Sequence, residues 1–279
     1  MGAISRRQAL VALGGSAAVL GLLEVRPRPA AAADTYGSNT ELYAAETEGV
    51  DFGRRFRRHA AFDDSPAAAV ALPETLIMAL HGGGVEPGTS ELCLAVAGYH
   101  PATMAGAAPL YDYWMFEGLR SQGNAELHVT SVHCDDPVAE LLAAGSRRAV
   151  SLHGCTPAQA GLPSDDDPGV VVGGRDTALK GRLMDTLAAA GLTVTAGGRE
   201  VPVAIVDGVT RPALGGDDPA NIVNRTYGGG GAQLELTTPL RAAMFGTNTA
   251  AQRKNTTTPL FWKFVTAVRQ ALVQESAAV

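Results

Sequence analysis

Apolar residues run unbroken through "TLIMALH" (75–81), and the run stops at three glycines, Gly82 to Gly84. A stretch this short, bounded by Pro73 and by glycine, predicts a strand buried on both faces. "YDYWMFEG" (111–118), "RRAVSLHG" (147–154) and "VVVGG" (170–174) read the same way. "ELHVTSV" (126–132) and the alternating "AQLELT" (232–237) add two strands, and shorter ones fall near 192–195 and 201–206. Helical stretches lie between them. "TSELCLAVAGYH" (89–100) has Thr89 or Ser90 as its expected N-cap, and "DPVAELLAAG" (136–145) ends at Gly145. "DTALKGRLMDTLAAAG" (176–191) is a third helix. In "TPLFWKFVTAVRQALVQE" (258–275), Leu260, Phe261, Phe264, Val265, Val268 and Leu272 form one apolar stripe. "PSDDDPG" (163–169) and "GGDDPANIVNRTYGGGG" (215–231) are loops, the second with a helical turn. Alternating strands and helices predict one α/β domain with a mostly parallel sheet, helices on both faces, and no internal repeat.

The first 33 residues stand apart from this pattern. Arg6 and Arg7 precede an apolar stretch, and "RPRPAAAAD" offers a small-residue cleavage site after Ala33. These are the marks of a secretory leader of the twin-arginine type. Its removal leaves residues 34–279 as the expected working domain, in an extracellular setting. No later stretch has the unbroken apolar length of a membrane span. The net charge is −6. The leader carries Arg6, Arg7, Arg26 and Arg28 against Glu24, so without it the charge is −9. That balance argues against nucleic acid as a partner. The three cysteines, Cys93, Cys134 and Cys155, leave at least one thiol free. Cys134 and Cys155 each follow a strand-end histidine, which leaves open a disulfide between them or two buried small hydrophobes.

"LHGGGVEPG" (80–88) carries the most chemistry. His-Gly-Gly-Gly after a strand resembles the oxyanion loop of esterases. An esterase also needs Gly-x-Ser-x-Gly and a late histidine. Neither occurs after residue 33, and the last histidine is His153. A metal site asks instead for imidazoles and a carboxylate that converge. His81 and Glu86 supply two ligands, because intervening glycines turn the chain back on itself. A third comes from another strand end, where His153 and His133 are both candidates. His128 reads as a packed strand residue, and His59 and His100 lie in surface contexts. Arg54, Arg55, Arg57 and Arg58 read as a solvated face. Glu235 in "QLELT" is the best candidate for a proton shuttle.

"HGGGVEPGTSEL", "YWMFEGL", "LHVTS", "VSLHGC", "VVVGGRD" and "GAQLEL" occur here in the order of the poly-γ-glutamate hydrolase family, which the chain resembles over about residues 40–245. That family is similar in fold to zinc carboxypeptidases, with an open mixed sheet, and hydrolyses γ-amide links of poly-γ-glutamate. The resemblance implies zinc on His81, Glu86 and His153, which ranks His153 above His133, and Glu235 as the catalytic carboxylate. It implies an anionic γ-glutamyl polymer or peptide as substrate. Arg225, beside Asn224 in the loop leading to Glu235, is the first expected reader of its carboxylates. Arg175 is the second, placed after a strand expected to be parallel and so on the same edge as His153. Another extracellular γ-glutamyl or peptidoglycan amidase, or a non-catalytic polymer-binding module, are the alternative readings.

Overall fold

In the computed structural model of the chain, residues 34–59 and 74–277 are described. The expected leader, residues 1–33, lies outside them. The run at residue 75 forms strand β2 (Thr75–Gly83), buried along almost its whole length. It pairs in parallel with β3 (Asp112–Gly118) on one side and β4 (Arg148–Cys155) on the other. Strand β9 (Ala232–Thr237) continues the parallel array beyond β4. β1 (Phe52–Arg57) closes one edge, antiparallel to β3. On the other side β5 (Gly169–Gly174) runs antiparallel to β9 and parallel to β8 (Ala204–Asp207). The result is a seven-stranded mixed sheet, mostly parallel, in the order β1-β3-β2-β4-β9-β5-β8. A separate hairpin joins β6 (Thr193–Ala196) to β7 (Arg199–Pro202).

Both faces are covered, as strands apolar on both sides require. On one face α2 (Thr89–Val96), α4 (Thr177–Ala189) and α6 (Pro259–Ala277) pack over Ile77, Val150, Leu152, Val170, Val172 and Leu234. The α6 stripe is as expected: Phe261, Phe264, Val268 and Leu272 are fully buried. On the other face α1 (Asn39–Ala45) and α3 (Pro137–Ala144) cover Leu76, Met78, Trp114 and Phe116. A last short helix, α5 (Thr238–Ala243), follows β9 directly. Among the described residues no helix is long and apolar enough to cross a membrane.

Four local readings need correction. Residues 126–132 form no strand; they make two short 3-10 turns, Asn124–Leu127 and Ser131–His133, because β3 already has both its partners in β1 and β2. Helix α2 is capped by Gly88, not by Thr89 or Ser90. Those hydroxyls are spent on the glycine turn: Thr89 Oγ1 donates to Glu86 O at 2.9 Å, and Ser90 Oγ accepts from Gly83 N at 2.9 Å. Within 34–59, α1 and β1 formed where no element was expected. The β1 arginines are less free than a solvated face: Arg54 pairs with Glu48 and the buried Asp136, and Arg55 with Glu117. Cys93, Cys134 and Cys155 are buried free thiols.

Candidate metal centre

Two strand ends and one turn build the site. Strand β2 carries one more residue than β3 between Ala79 and Gly82, which face Met115 and Glu117. Such a bulge shifts the in–out alternation. It brings His81 to the sheet face that β4 gives to His153. The glycines after His81 are required by space. A Cβ on Gly82 would lie 2.3 Å from Ser90 Oγ and 2.5 Å from Phe116 O, and Gly83 has φ +63°. The turn closes with Glu86 N donating to His81 O at 2.8 Å. Its carboxylate therefore returns to the ring it left five residues earlier.

The resulting cluster is tight. His81 Nδ1 lies 3.1 Å from Glu86 Oε1 and 3.0 Å from His153 Nδ1. His153 Nδ1 is 3.9 Å from Glu86 Oε2, which accepts from Gly154 N at 2.8 Å. Both rings are buried, each 2% exposed. Burial opposes charge on His81, but the Glu86 carboxylate beside it overrides this and raises its pKa. Burial would raise Glu86 too; the facing His81 instead draws it down to about 2. Burial and the His81 charge push His153 down to about 3.

This donor set fits a divalent cation. His81 Nε2 lies 2.9 Å from Val129 O, and a carbonyl only accepts, so Nε2 bears the proton. In neutral His81 the Nδ1 lone pair then points at a carboxylate and at another imidazole nitrogen, with no hydrogen between. A cation at their focus resolves that opposition. Neutral imidazoles with one carboxylate are a zinc-type donor set.

Glu235 stands on β9 in register with His153. Its side chain is 7% exposed, and burial with the nearby Glu86 charge raises its pKa well above the usual carboxylate range. Gln233 Nε2 donates to Glu235 Oε1 at 2.9 Å, and Asn221 Nδ2 holds Gln233 Oε1 at 2.8 Å. The acid is thus oriented by Gln233 on its own strand, itself held from the loop by Asn221.

Two residues of the site were missed. His128, expected inside a strand, follows the first 3-10 turn and stacks on His81 with ring centroids 3.9 Å apart. Its Nδ1 is held by Asp34 Oδ1 at 2.7 Å. It is a further metal-capable residue: one ligand atom each of His81, Glu86 and His128 lie within 4.8 Å of one another. The motif "LHVTS" was the available signal. Arg241, on α5, lies against Gly154; it is 7% exposed and forms no ion pair among the described residues. It donates to Pro87 O, Leu236 O and Thr238 Oγ1. Nothing in the sequence marked it, because only the fold sets α5 against the end of β4.

The expected carboxylate readers lie elsewhere. Arg225 donates to Val132 O, Cys134 O, Ala220 O and Glu140 Oε1, tying loops together. Asn224 is a loop clasp, donating to Gly216 O and Asp218 O while its Oδ1 accepts from Arg175 N and Gly231 N. Arg175 does not share an edge with His153. Strand β5 is antiparallel to β9, and Gly174 faces Ala232, at the opposite end from Glu235. His133 is exposed and 3.9 Å from Asp34, outside the cluster.

Fold and donors together give an α/β protein whose strand-end cluster of two imidazoles and a carboxylate fits a divalent cation. Residues 36–267 match the poly-gamma-glutamate hydrolase family, and the chain belongs to it. The chain is 31% identical over 189 residues to the UPF0714 protein YndL of Bacillus subtilis (strain 168). That match covers 68% of this chain and 63% of YndL, so it spans less than two thirds of the relative's length. A solved structure of bacteriophage poly-gamma-glutamate hydrolase superposes with TM-score 0.69 at 28% identity, covering 88% of this chain and 100% of that one. The zinc-free apo form of YndL gives TM-score 0.68 at 27% identity, over 87% and 99% of the chains.

Proposed function

We propose that this chain is a zinc-dependent hydrolase of γ-glutamyl amide bonds, with poly-γ-glutamate as its substrate, acting outside the cell after export by its twin-arginine-type leader. One observation carries the reading: His81 Nδ1, His153 Nδ1 and the Glu86 carboxylate converge at adjacent strand ends, with the buried Glu235 in register with His153 on the next strand. His81, Glu86 and His153 would hold the ion. When bound, zinc supplies Lewis acidity, which makes water a nucleophile near neutral pH and polarises a carbonyl. Glu235 takes a proton from the attacking water and returns it to the departing amine. Its high proton affinity suits the second task, and Gln233 on Oε1 fixes the carboxyl's direction. Arg241, charged, buried and without a carboxylate partner among the described residues, is the cation placed to meet a substrate carboxylate or a developing negative charge. The family and the zinc-free YndL neighbour support the choice of substrate and ion.

The test is incubation of purified protein with poly-γ-glutamate, following chain length by size exclusion and new amines by a colour reagent. Shortening that a chelator stops and added zinc restores is expected. Intact polymer with zinc bound, as a mere binding module would leave it, contradicts the reading.

A further inference from the structure

A second charged concavity lies at the opposite ends of the same strands. Arg148 opens β4 and, by alternation from Val150 and Leu152, faces the layer of α4 and α6. It is 4% exposed, and its Nη1 has no hydrogen-bond partner among the described residues. A buried, charged guanidinium nitrogen without an acceptor is costly, so its position asks for an anion. Arg148 lines a pocket of about 320 Å³ together with Arg147, Arg175 and the glycines 228–230. The other two arginines are only loosely engaged. Arg147 is 3.7 Å from Glu74, and Arg175 Nη1 is 3.4 Å from Asp217 O.

Backbone groups add to the positive wall. Thr177 and Ala178, the first residues of the 13-residue helix α4, also line the pocket. First-turn N–H groups have no acceptor within their own helix, and the helix dipole favours an anion there. Asp176, the one carboxylate in the lining among the described residues, turns its Oδ1 to Leu179 N as the helix cap. Gly229 has φ +81° with no atom within 4 Å of where its Cβ would be.

We propose that this pocket is a second binding site, taking a small dicarboxylate the size of one glutamyl unit. Three lining arginines and a helix N-terminus exceed what one carboxylate needs, and planar guanidinium pairs with carboxylates two bonds at a time. The volume is far larger than a single oxyanion. From Arg148 to His153 the strand advances five residues, on the order of 17 Å. One glutamyl unit therefore does not reach both sites, and the occupant is separate from the group held at the metal centre. That the dicarboxylate is glutamyl in origin rests on the proposed function; that the pocket takes a dicarboxylate does not.

The experiment is titration of isotope-labelled protein with glutarate, which has no amide to cleave, at constant ionic strength set by sodium chloride. Amide resonances of Thr177, Ala178 and Gly229 should shift and saturate. Arg175→Gln, an exposed change safe for folding, should weaken this binding about tenfold or more, and Arg148→Gln should abolish it. Absent or unsaturating shifts, or an Arg175→Gln titration equal to wild type, overturn the proposal. Inorganic phosphate binding these amides more tightly than glutarate overturns the dicarboxylate assignment. Polymer cleavage measured on the same sample stands or falls independently, so failure here is distinct from failure of the proposed activity.

Discussion

Gly154→Ala isolates the contact that ties the cluster to Arg241. Gly154 sits in ordinary strand backbone, so alanine brings no φ penalty. Its Cβ would lie 2.5 Å from Arg241 Cζ, 2.6 Å from Nη2 and 2.7 Å from Nε, distances no real methyl tolerates. Gly154 is held in register with Leu236 of β9, so the guanidinium must move. It then gives up bonds of 2.9 Å to Pro87 O, 3.2 Å to Leu236 O and 3.3 Å to Thr238 Oγ1. Hydrogen bonds from a charged donor are worth about 1.5–3 kcal/mol each, and a displaced arginine recovers part of that from water. The net cost is about 2–4 kcal/mol. At about 2–4 °C per kcal/mol for a chain of this size, the melting temperature falls by about 5–15 °C. The assay is thermal unfolding in a double-mutant cycle with Arg241→Ala. With the guanidinium gone, Gly154→Ala should cost almost nothing. An equal penalty in both backgrounds would refute the steric argument.

Glu235→Gln should keep fold and zinc while activity falls about 10²–10⁴-fold. Because the folded-state pKa of Glu235 is raised above its ordinary 4.5, its stabilisation is full below that value and is lost as pH rises through the folded value. Metal-free Glu235→Gln should therefore gain on wild type above about pH 5, by at most ~1.4 kcal/mol per pH unit; a pH-independent difference between their melting temperatures would count against the shift. Arg225→Lys should lower the melting temperature, at a cost of about 1–3 kcal/mol for the lost fork of carbonyl contacts. It should leave KM for a γ-glutamyl oligomer unchanged, whereas a KM rise at unchanged stability would return Arg225 to substrate reading. Asp34 holds His128 Nδ1 with one carboxylate oxygen and accepts from Thr130 N with the other, so Asp34→Asn leaves one acceptor where two are used and removes the charge. Zinc affinity should fall about 10–100-fold, as for other orienting partners; unaltered affinity in a dye competition would leave His128 without influence on the ion.

Much of the fold was legible because burial imposes pattern. The strands at β2, β3, β4, β5 and β9 are apolar or alternating over their whole lengths, and α6 displays its stripe openly. Residues 126–132 misled for a physical reason: Leu127 and Val129 are buried under the sheet, so the segment carries strand-like apolarity without pairing. Strand direction was not legible. Nothing in "VVVGG" says that β5 reverses against β9, and that reversal alone carries Arg175 to the far edge. At the site, the glycines between His81 and Glu86 announced a turn, but the bulge that re-aims His81 is a property of pairing between strands. Arg241 was hidden for the same reason, since only tertiary packing sets it on Gly154.

Zinc content measured by elemental analysis on wild type and two histidine variants tests the metal centre most directly. Wild type should carry about one zinc per chain, His153→Ala should lose it, and His133→Ala should keep it, since His133 is exposed and turned toward Asp34. Zinc-free wild type after purification with zinc present, or loss of the ion on His133→Ala with retention on His153→Ala, would contradict the assignment.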